Sequence, residues 1–322
     1  MAALKRILKW TAIILAALFI LLSVLPYLIP LQQLTGNRHE LVYDDSEFSS
    51  IDGIEMHFRR FAEGNDRGAP VLLIHGLGGS TFSWRYTAPA LEHEGYLVIA
   101  VDLPGFGLSE RRAGLEHSSV RRAEHLWALL EKLEPGEKWH LVGHSMGGAA
   151  VTAMALQEPE KVKSLTLAAG ALAEFEPSLV AFLLRSPPVN RWVRVLGPRL
   201  LFRENWVEKA LLSAYGRQPT ADEVNGYYFP LTLENTDVVF VDLINTAPAP
   251  LLDRVGELDI PVLCLWGEDD SWVPLEKGER LVRLFPRAEL VIITEEGHCP
   301  METSPDQFNP ALLDFLEADK SR

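Results

Sequence analysis

The sequence predicts an α/β protein, with a mostly parallel eight-stranded sheet flanked by helices, a helical insertion and a membrane-type helix at the N-terminus. Three observations point there. First, short and nearly continuous apolar runs recur at 71–75, 96–102, 139–144, 162–168, 261–266 and 288–293, as expected of strands buried on both faces of a parallel sheet. Second, helical patterns alternate with them at 120–133, 146–157, 276–284 and 306–316, the rhythm of a sheet covered by helices on both sides. Third, no charged side chain occurs from Trp10 to Asn37, enough chain to cross the ~30 Å hydrocarbon layer as a helix.

Composition limits the function classes. The chain has 322 residues, 48% of them hydrophobic and 23% charged, so it can bury a large core and is not a disordered polymer. Formal net charge is −14, unevenly spread: Lys5, Arg6, Lys9 and Arg38 are the only charges in residues 1–38, leaving 26 basic and 44 acidic side chains, a net of −18, in residues 39–322. A body that acidic repels phosphate backbones, and no nucleic-acid partner is expected. The two cysteines, Cys264 and Cys299, exclude a disulfide framework and a cysteine-based zinc site.

Residues 1–38 form one unit, an anchor with its juxtamembrane segment, and 39–322 the catalytic domain. Trp10 and Tyr27 stand at opposite ends of the apolar run, where amphipathic rings prefer the headgroup region, and Pro26 and Pro30 end or kink the helix on the far side. A cleaved signal peptide is the rival reading, but the run exceeds ~15 residues and Ser-Val-Leu-Pro-Tyr-Leu offers no small-residue cleavage site. Three basic residues before the span against Arg38 after it set a single-pass protein with a cytoplasmic N-terminus and an extracytoplasmic body.

In the body, alternation over 47–61 with Asp52-Gly53 at its middle predicts a two-stranded hairpin. Residues 171–250 interrupt the strand–helix rhythm and are rich in large apolar side chains, which reads as a helical lid or cap, with extra core packing as the alternative. Trp84, Phe175, Phe182 and Trp206 are the candidate substrate-binding residues.

Gly143-His144-Ser145-Met146-Gly147 follows an apolar strand and opens a helix. A serine hydroxyl projects for attack at such a tight turn, its neighbours must be small, and the N–H after it, that of Met146, points at a developing oxyanion. With this setting the chain resembles the α/β-hydrolase fold family over nearly all of residues 45–318, most strongly serine esterases and lipases of the monoacylglycerol-lipase type and their relatives that cleave carbon–carbon bonds. The resemblance implies several further roles. His75-Gly76-Leu77-Gly78-Gly79 places the second oxyanion donor at Leu77, and Asp102 to Ser109 matches a family signature read as structural turn chemistry. Gly267-Glu268-Asp269-Asp270, followed by Val273-Pro274, selects Asp270 as the orienting acid, with Asp269 its competitor. Gly297-His298-Cys299-Pro300, just after the last strand, supplies the base. His75 and His144, which flank these turns, are expected to make structural hydrogen bonds.

The implied reaction is hydrolysis of a carboxylic ester through an acyl-enzyme on Ser145, without metal or organic cofactor. The apolar insertion and the membrane-type helix favour a lipid-like small molecule, such as a monoacylglycerol or medium-chain ester, with the lipid bilayer as the other partner. The alternative is a carbon–carbon hydrolase of aromatic ring-fission products, although such enzymes usually carry Asn where this chain has His144. A non-catalytic ligand-binding protein on the same fold is a lesser alternative, since no triad member is missing. A carboxylate nucleophile, as in epoxide hydrolases, is disfavoured by serine at the elbow.

Overall fold

A computed structural model describes residues 2–40, 42–62, 68–172, 184–246 and 249–318. Eight strands form one sheet: β1 (Ser46–Ile51), β2 (Ile54–Phe61), β3 (Val71–Ile74), β4 (Val98–Val101), β5 (Trp139–His144), β6 (Val162–Ala168), β7 (Val262–Gly267) and β8 (Ala288–Ile293). Their order is β1-β2-β4-β3-β5-β6-β7-β8. The β1–β2 and β2–β4 pairs are antiparallel and every other pair is parallel. The hairpin turns at Asp52 and Gly53, both at positive φ (50° and 72°), the two-residue geometry that an Asp-Gly pair favours.

Alternation within buried strands splits the core into two layers. Leu72 and Ile74 of β3 face one layer with Leu126 and Leu130 of α3 (Ser119–Leu133) and Val151 and Met154 of α4 (Met146–Gln157). Val71 and Leu73 face the other, with Leu91 of α2 (Thr87–His93) and with Phe308 and Leu312 of the C-terminal helix. Because both faces are covered, the strands read as unbroken apolar runs. Ser118 caps α3 by accepting the Arg121 N–H (3.1 Å).

Between β6 and β7 the described chain forms four helices, α5 (Pro187–Leu196), α6 (Glu204–Tyr215), α7 (Ala221–Leu231) and α8 (Thr236–Asn245), with a short π-type segment at Gly197–Leu201. They lie over the C-terminal end of the parallel strands, where α6 accepts the His298 N–H at the Ala214 carbonyl (2.7 Å). The α7 start is fixed by a reciprocal capping box between Thr220 and Glu223.

Helix α1 (Ala2–Leu28) is long and apolar enough to cross a membrane, and almost all of it is exposed. Its end docks on α5 for a reason traceable to one residue. Pro26 has no N–H, so the Leu22 carbonyl loses its helical partner, and the indole Nε1–H of Trp192 donates to it instead (2.8 Å). Arg191 donates to the carbonyls of Pro26 (3.1 Å) and Ile29 (3.2 Å), and Arg199 to that of Pro30 (2.7 Å). These guanidinium groups satisfy the orphan acceptors of a helix C-terminus, where positive charge is favoured.

The Asp102–Ser109 turn holds β2, β3 and β4 in register through one buried carboxylate. Asp102 accepts hydrogen bonds from His57 Nδ1–H (2.6 Å), Thr81 N–H (2.6 Å) and Leu108 N–H (2.7 Å). Burial alone would raise its pKa, but His57, with support from His75 and the Leu108 N–H, holds it below the ordinary carboxylate value. A Cβ at Gly107 would sit 2.0 Å from this carboxylate, so no other residue fits there. Asp102→Ala strands three donors, and we expect unfolding free energy at neutral pH to fall by about 3–5 kcal/mol. Because the folded pKa is depressed, the contribution is present above the ordinary carboxylate pKa and lost as pH falls through the folded value. Denaturant unfolding at pH 7 and in acid measures both, and a loss under about 1 kcal/mol at pH 7 would remove Asp102 from this role.

Candidate active site

Ser145 occupies the turn between β5 and α4 at φ 48° and ψ −117°, a sparsely populated conformation for a residue with a side chain. Surrounding contacts impose it: Ser145 N–H donates to the Ala168 carbonyl (3.0 Å), and Ser145 C=O accepts from Gly148 (2.9 Å) and Ala171 (2.9 Å). A Cβ on Gly143 would come within 2.6 Å of the Gly147 carbonyl oxygen, and one on Gly147 within 2.5 Å of the Ile74 carbonyl oxygen. The glycines two residues either side of the serine are therefore what lets β3, β5 and α4 close around it.

His298 lies in the loop after β8 and Asp270 in the loop after β7, neighbouring parallel strands. His298 Nδ1–H donates to Asp270 Oδ2 (2.8 Å), and both residues are buried. The other carboxylate oxygen, Oδ1, accepts the backbone N–H groups of Trp272 and Val273 (2.9 Å each). Asp269, the competitor, is exposed beside it. With Nδ1 on Asp270, Nε2 is the nitrogen of His298 left for a hydroxyl or a leaving group.

Ser145 and His298 line one cavity of about 210 Å³, roofed by Val207, Ala210, Leu211 and Ala214 of α6 with Tyr227 and Leu231 of α7. Gly76 to Gly79 form its rim, and the half-exposed Leu77 is part of it. Met146 begins α4 with its side chain packed into the core, so it presents only its backbone N–H to the turn.

The two other histidines at the site are fixed as neutral groups. His144 donates Nε2–H to the His298 carbonyl (2.9 Å), and burial, then the proximity of His298, pushes its pKa well down. His75 donates from Nδ1 to the Gly76 carbonyl (2.7 Å) and accepts the Leu103 N–H at Nε2 (3.1 Å). Burial lowers its pKa too, although Asp102 opposes the shift. Cys264 and Cys299 are free, buried thiols; burial pushes Cys264 up to about 12 and Cys299 well above its ordinary value.

Polar groups behind the cavity tie its roof to the body. Glu302 is buried and accepts from Arg85, Tyr227 and Tyr215, the last at 2.8 Å. Burial raises its pKa against the pull of Arg85 and the tyrosine hydroxyls. Tyr227 therefore shows its ring to the cavity while its hydroxyl is engaged by Glu302 and by Ser83 Oγ (2.9 Å).

The candidate substrate-binding residues fare differently. Trp84 is wholly buried against Phe308 in the second core layer and does not line the cavity, because its short helix turns the ring inward onto the C-terminal helix. Trp206 is half-exposed with Lys209 over its ring (5.7 Å), on the face of α6 turned from the cavity. Phe175 and Phe182 lie outside the described residues. The residues that do face the cavity follow a signal present in the sequence, the apolar helical spacing 207, 211, 214. Trp272, two positions beyond the acid, carried no such signal.

Comparison with known proteins bears on the family. The family described as alpha/beta hydrolase fold matches residues 69–192. The chain is 30% identical over 286 residues to a 2-hydroxy-6-oxononadienedioate/2-hydroxy-6-oxononatrienedioate hydrolase of Burkholderia vietnamiensis, covering 82% of this chain and 92% of that one. It is 29% identical over 273 residues to the uncharacterized hydrolase YugF of Bacillus subtilis, covering 83% and 96%. Among solved structures, a membrane phospholipase A superposes with a TM-score of 0.71 at 22% identity, covering 99% of this chain and 100% of that one, a likeness of fold that extends through α1. By the extent and identity of these matches, the chain belongs to the α/β-hydrolase fold family and is a hydrolase.

Proposed function

We propose that the chain is a serine hydrolase of carboxylic esters with a single lipid-like acyl chain, acting through a Ser145–His298–Asp270 triad. The observation that carries this reading is the buried His298–Asp270 hydrogen bond opening on the same apolar cavity as the strained serine turn. Ser145 Oγ attacks the ester carbonyl while His298 Nε2 takes its proton. The N–H groups of Leu77 and Met146 bind the oxyanion, His298 protonates the leaving alcohol, and water then releases the acid from the acyl-enzyme. Asp270 holds the imidazole tautomer throughout.

The cavity supports the substrate class. Its roof is apolar, and each buried methylene contributes ~0.8 kcal/mol, so chain length is read by apolar contact. At about 210 Å³ it lies below the ~300–1,000 Å³ of common ligand pockets, which suits one acyl chain. Carbon–carbon hydrolysis is the second reading, favoured by the 30%-identical relative. Against it, no lysine or arginine lines the cavity among the described residues, whereas a dienedioate would bring two carboxylates in need of partners. Helix α1 would anchor the enzyme, and the charge pattern around it would place the body on the extracytoplasmic side.

Ser145→Ala or His298→Ala should lower kcat by ~10⁶-fold, and Asp270→Ala by ~10⁴-fold; a loss under tenfold (~1.4 kcal/mol) at Ser145 would end the assignment. On a series of acyl esters, kcat/KM should rise from acetyl to medium chains, and turnover of a dienoic ring-fission substrate should be negligible. A sharp acetyl preference would discard the lipid-like substrate, and efficient ring-fission turnover the ester reading. Protease added to spheroplasts should degrade the body; survival until the membrane is lysed would reverse the orientation.

A further inference from the structure

The His298 imidazole has two ring neighbours. One face stacks on the indole of Trp272, with ring centroids 5.4 Å apart and planes inclined by 24°. The His144 ring is a second neighbour at 4.8 Å and 51°. The Asp270 hydrogen bond alone leaves the imidazole free to swing about Nδ1, because χ2 of histidine is a soft torsion. A flat ring against its face removes that freedom.

Trp272 is itself held from two directions. Its backbone N–H donates to Asp270 Oδ1 (2.9 Å), so one carboxylate fixes both the edge of the imidazole and the main chain of the ring beneath it. Its indole Nε1–H donates to Ser213 Oγ on α6 (3.1 Å). The next residue of α6, Ala214, accepts the His298 N–H (2.7 Å). Two consecutive residues of the helix that roofs the cavity therefore grip both members of the stack.

We propose that Trp272 is a positioning residue for the base, holding His298 flat for proton transfer with Ser145, and that Ser213 makes this alignment depend on the seating of α6. The proposal rests on the triad reading above. When His298 accepts the serine proton it becomes a cation lying over an aromatic face, whose negative quadrupole attracts it. His144, its single N–H committed to the His298 carbonyl, adds no second positive charge beside it. The indole is half-exposed, so its outer face meets water while its inner face keeps water off the imidazole.

Trp272 also borders the cavity, and the alternative is a wall that only touches substrate. Steady-state kinetics of the full-length protein in detergent on p-nitrophenyl octanoate separates the two. Trp272→Leu should lower kcat roughly 5- to 30-fold with KM within about threefold of wild type. Trp272→Phe, which keeps a ring on the imidazole, should recover most of that kcat, and Ser213→Ala should fall between. Thermal unfolding of each variant checks that the fold persists, as expected for a half-exposed ring. Wild-type kcat in Trp272→Leu, a loss carried by KM, or Phe no better than Leu would overturn the proposal. Ser145→Ala, run alongside, should be inactive; turnover there would show that the triad reading itself has failed.

Discussion

The turn at Ser145 constrains the rest of the site. A serine at φ 48° costs of order 1–3 kcal/mol relative to relaxed backbone, and the cost is met by contacts that no other arrangement of these strands would supply. β3 must pass close enough for its Ile74 carbonyl to touch Gly147, and β6 must present Ala168 to the serine N–H. Once β5 is locked between β3 and β6, the loops after β3, β7 and β8 open on the same side of the sheet. Leu77 and His298 line the serine's cavity from there, with Asp270 hydrogen-bonded to His298. The geometry of the candidate site is thus a property of strand order as much as of side chains.

Polarity is distributed with equal economy. The face of the cavity toward the helices is apolar, while the charges that hold those helices down are set one layer behind it, in the Glu302–Arg85–Glu223–Arg217 chain and its two tyrosines. Tyr227 belongs to both layers, ring forward and hydroxyl back. Beneath the serine, His75 and His144 spend their hydrogen bonds on backbone, which leaves His298 as the imidazole paired with a carboxylate at this cavity.

Much of this architecture was legible in the sequence because it is written in local patterns. Strands β5, β6 and β8 coincide with apolar runs bounded by polar residues, and the Asp52-Gly53 pair marks the hairpin turn. Ser145, Asp270 and His298 each sit in a short motif whose glycines announce the turn, and the structure brings Asp270 and His298 into contact and places His298 on the same cavity as Ser145. The cavity wall was harder to read. Size suggested Trp84 and Trp206, yet whether a large ring faces a core, a cavity or solvent depends on the phase of its helix and on what packs across from it. Trp84 meets Phe308, more than two hundred residues away in sequence, and no local pattern encodes that meeting. Tyr227 and Trp272 owe their places to Glu302 and Ser213 in the same non-local way.

The glycines flanking the serine carry a last consequence, for how such a protein can diverge. Positions 143 and 147 accept no side chain at all, because backbone oxygens of neighbouring elements already fill the space. The floor of the cavity is therefore closed to gradual change. Its ceiling is not: Val207, Ala210, Leu211 and Leu231 stand on helices outside the sheet, and volume-conserving apolar exchanges among them disturb the turn below little. New substrate ranges can arise by drift in the roof while the chemistry underneath stays fixed.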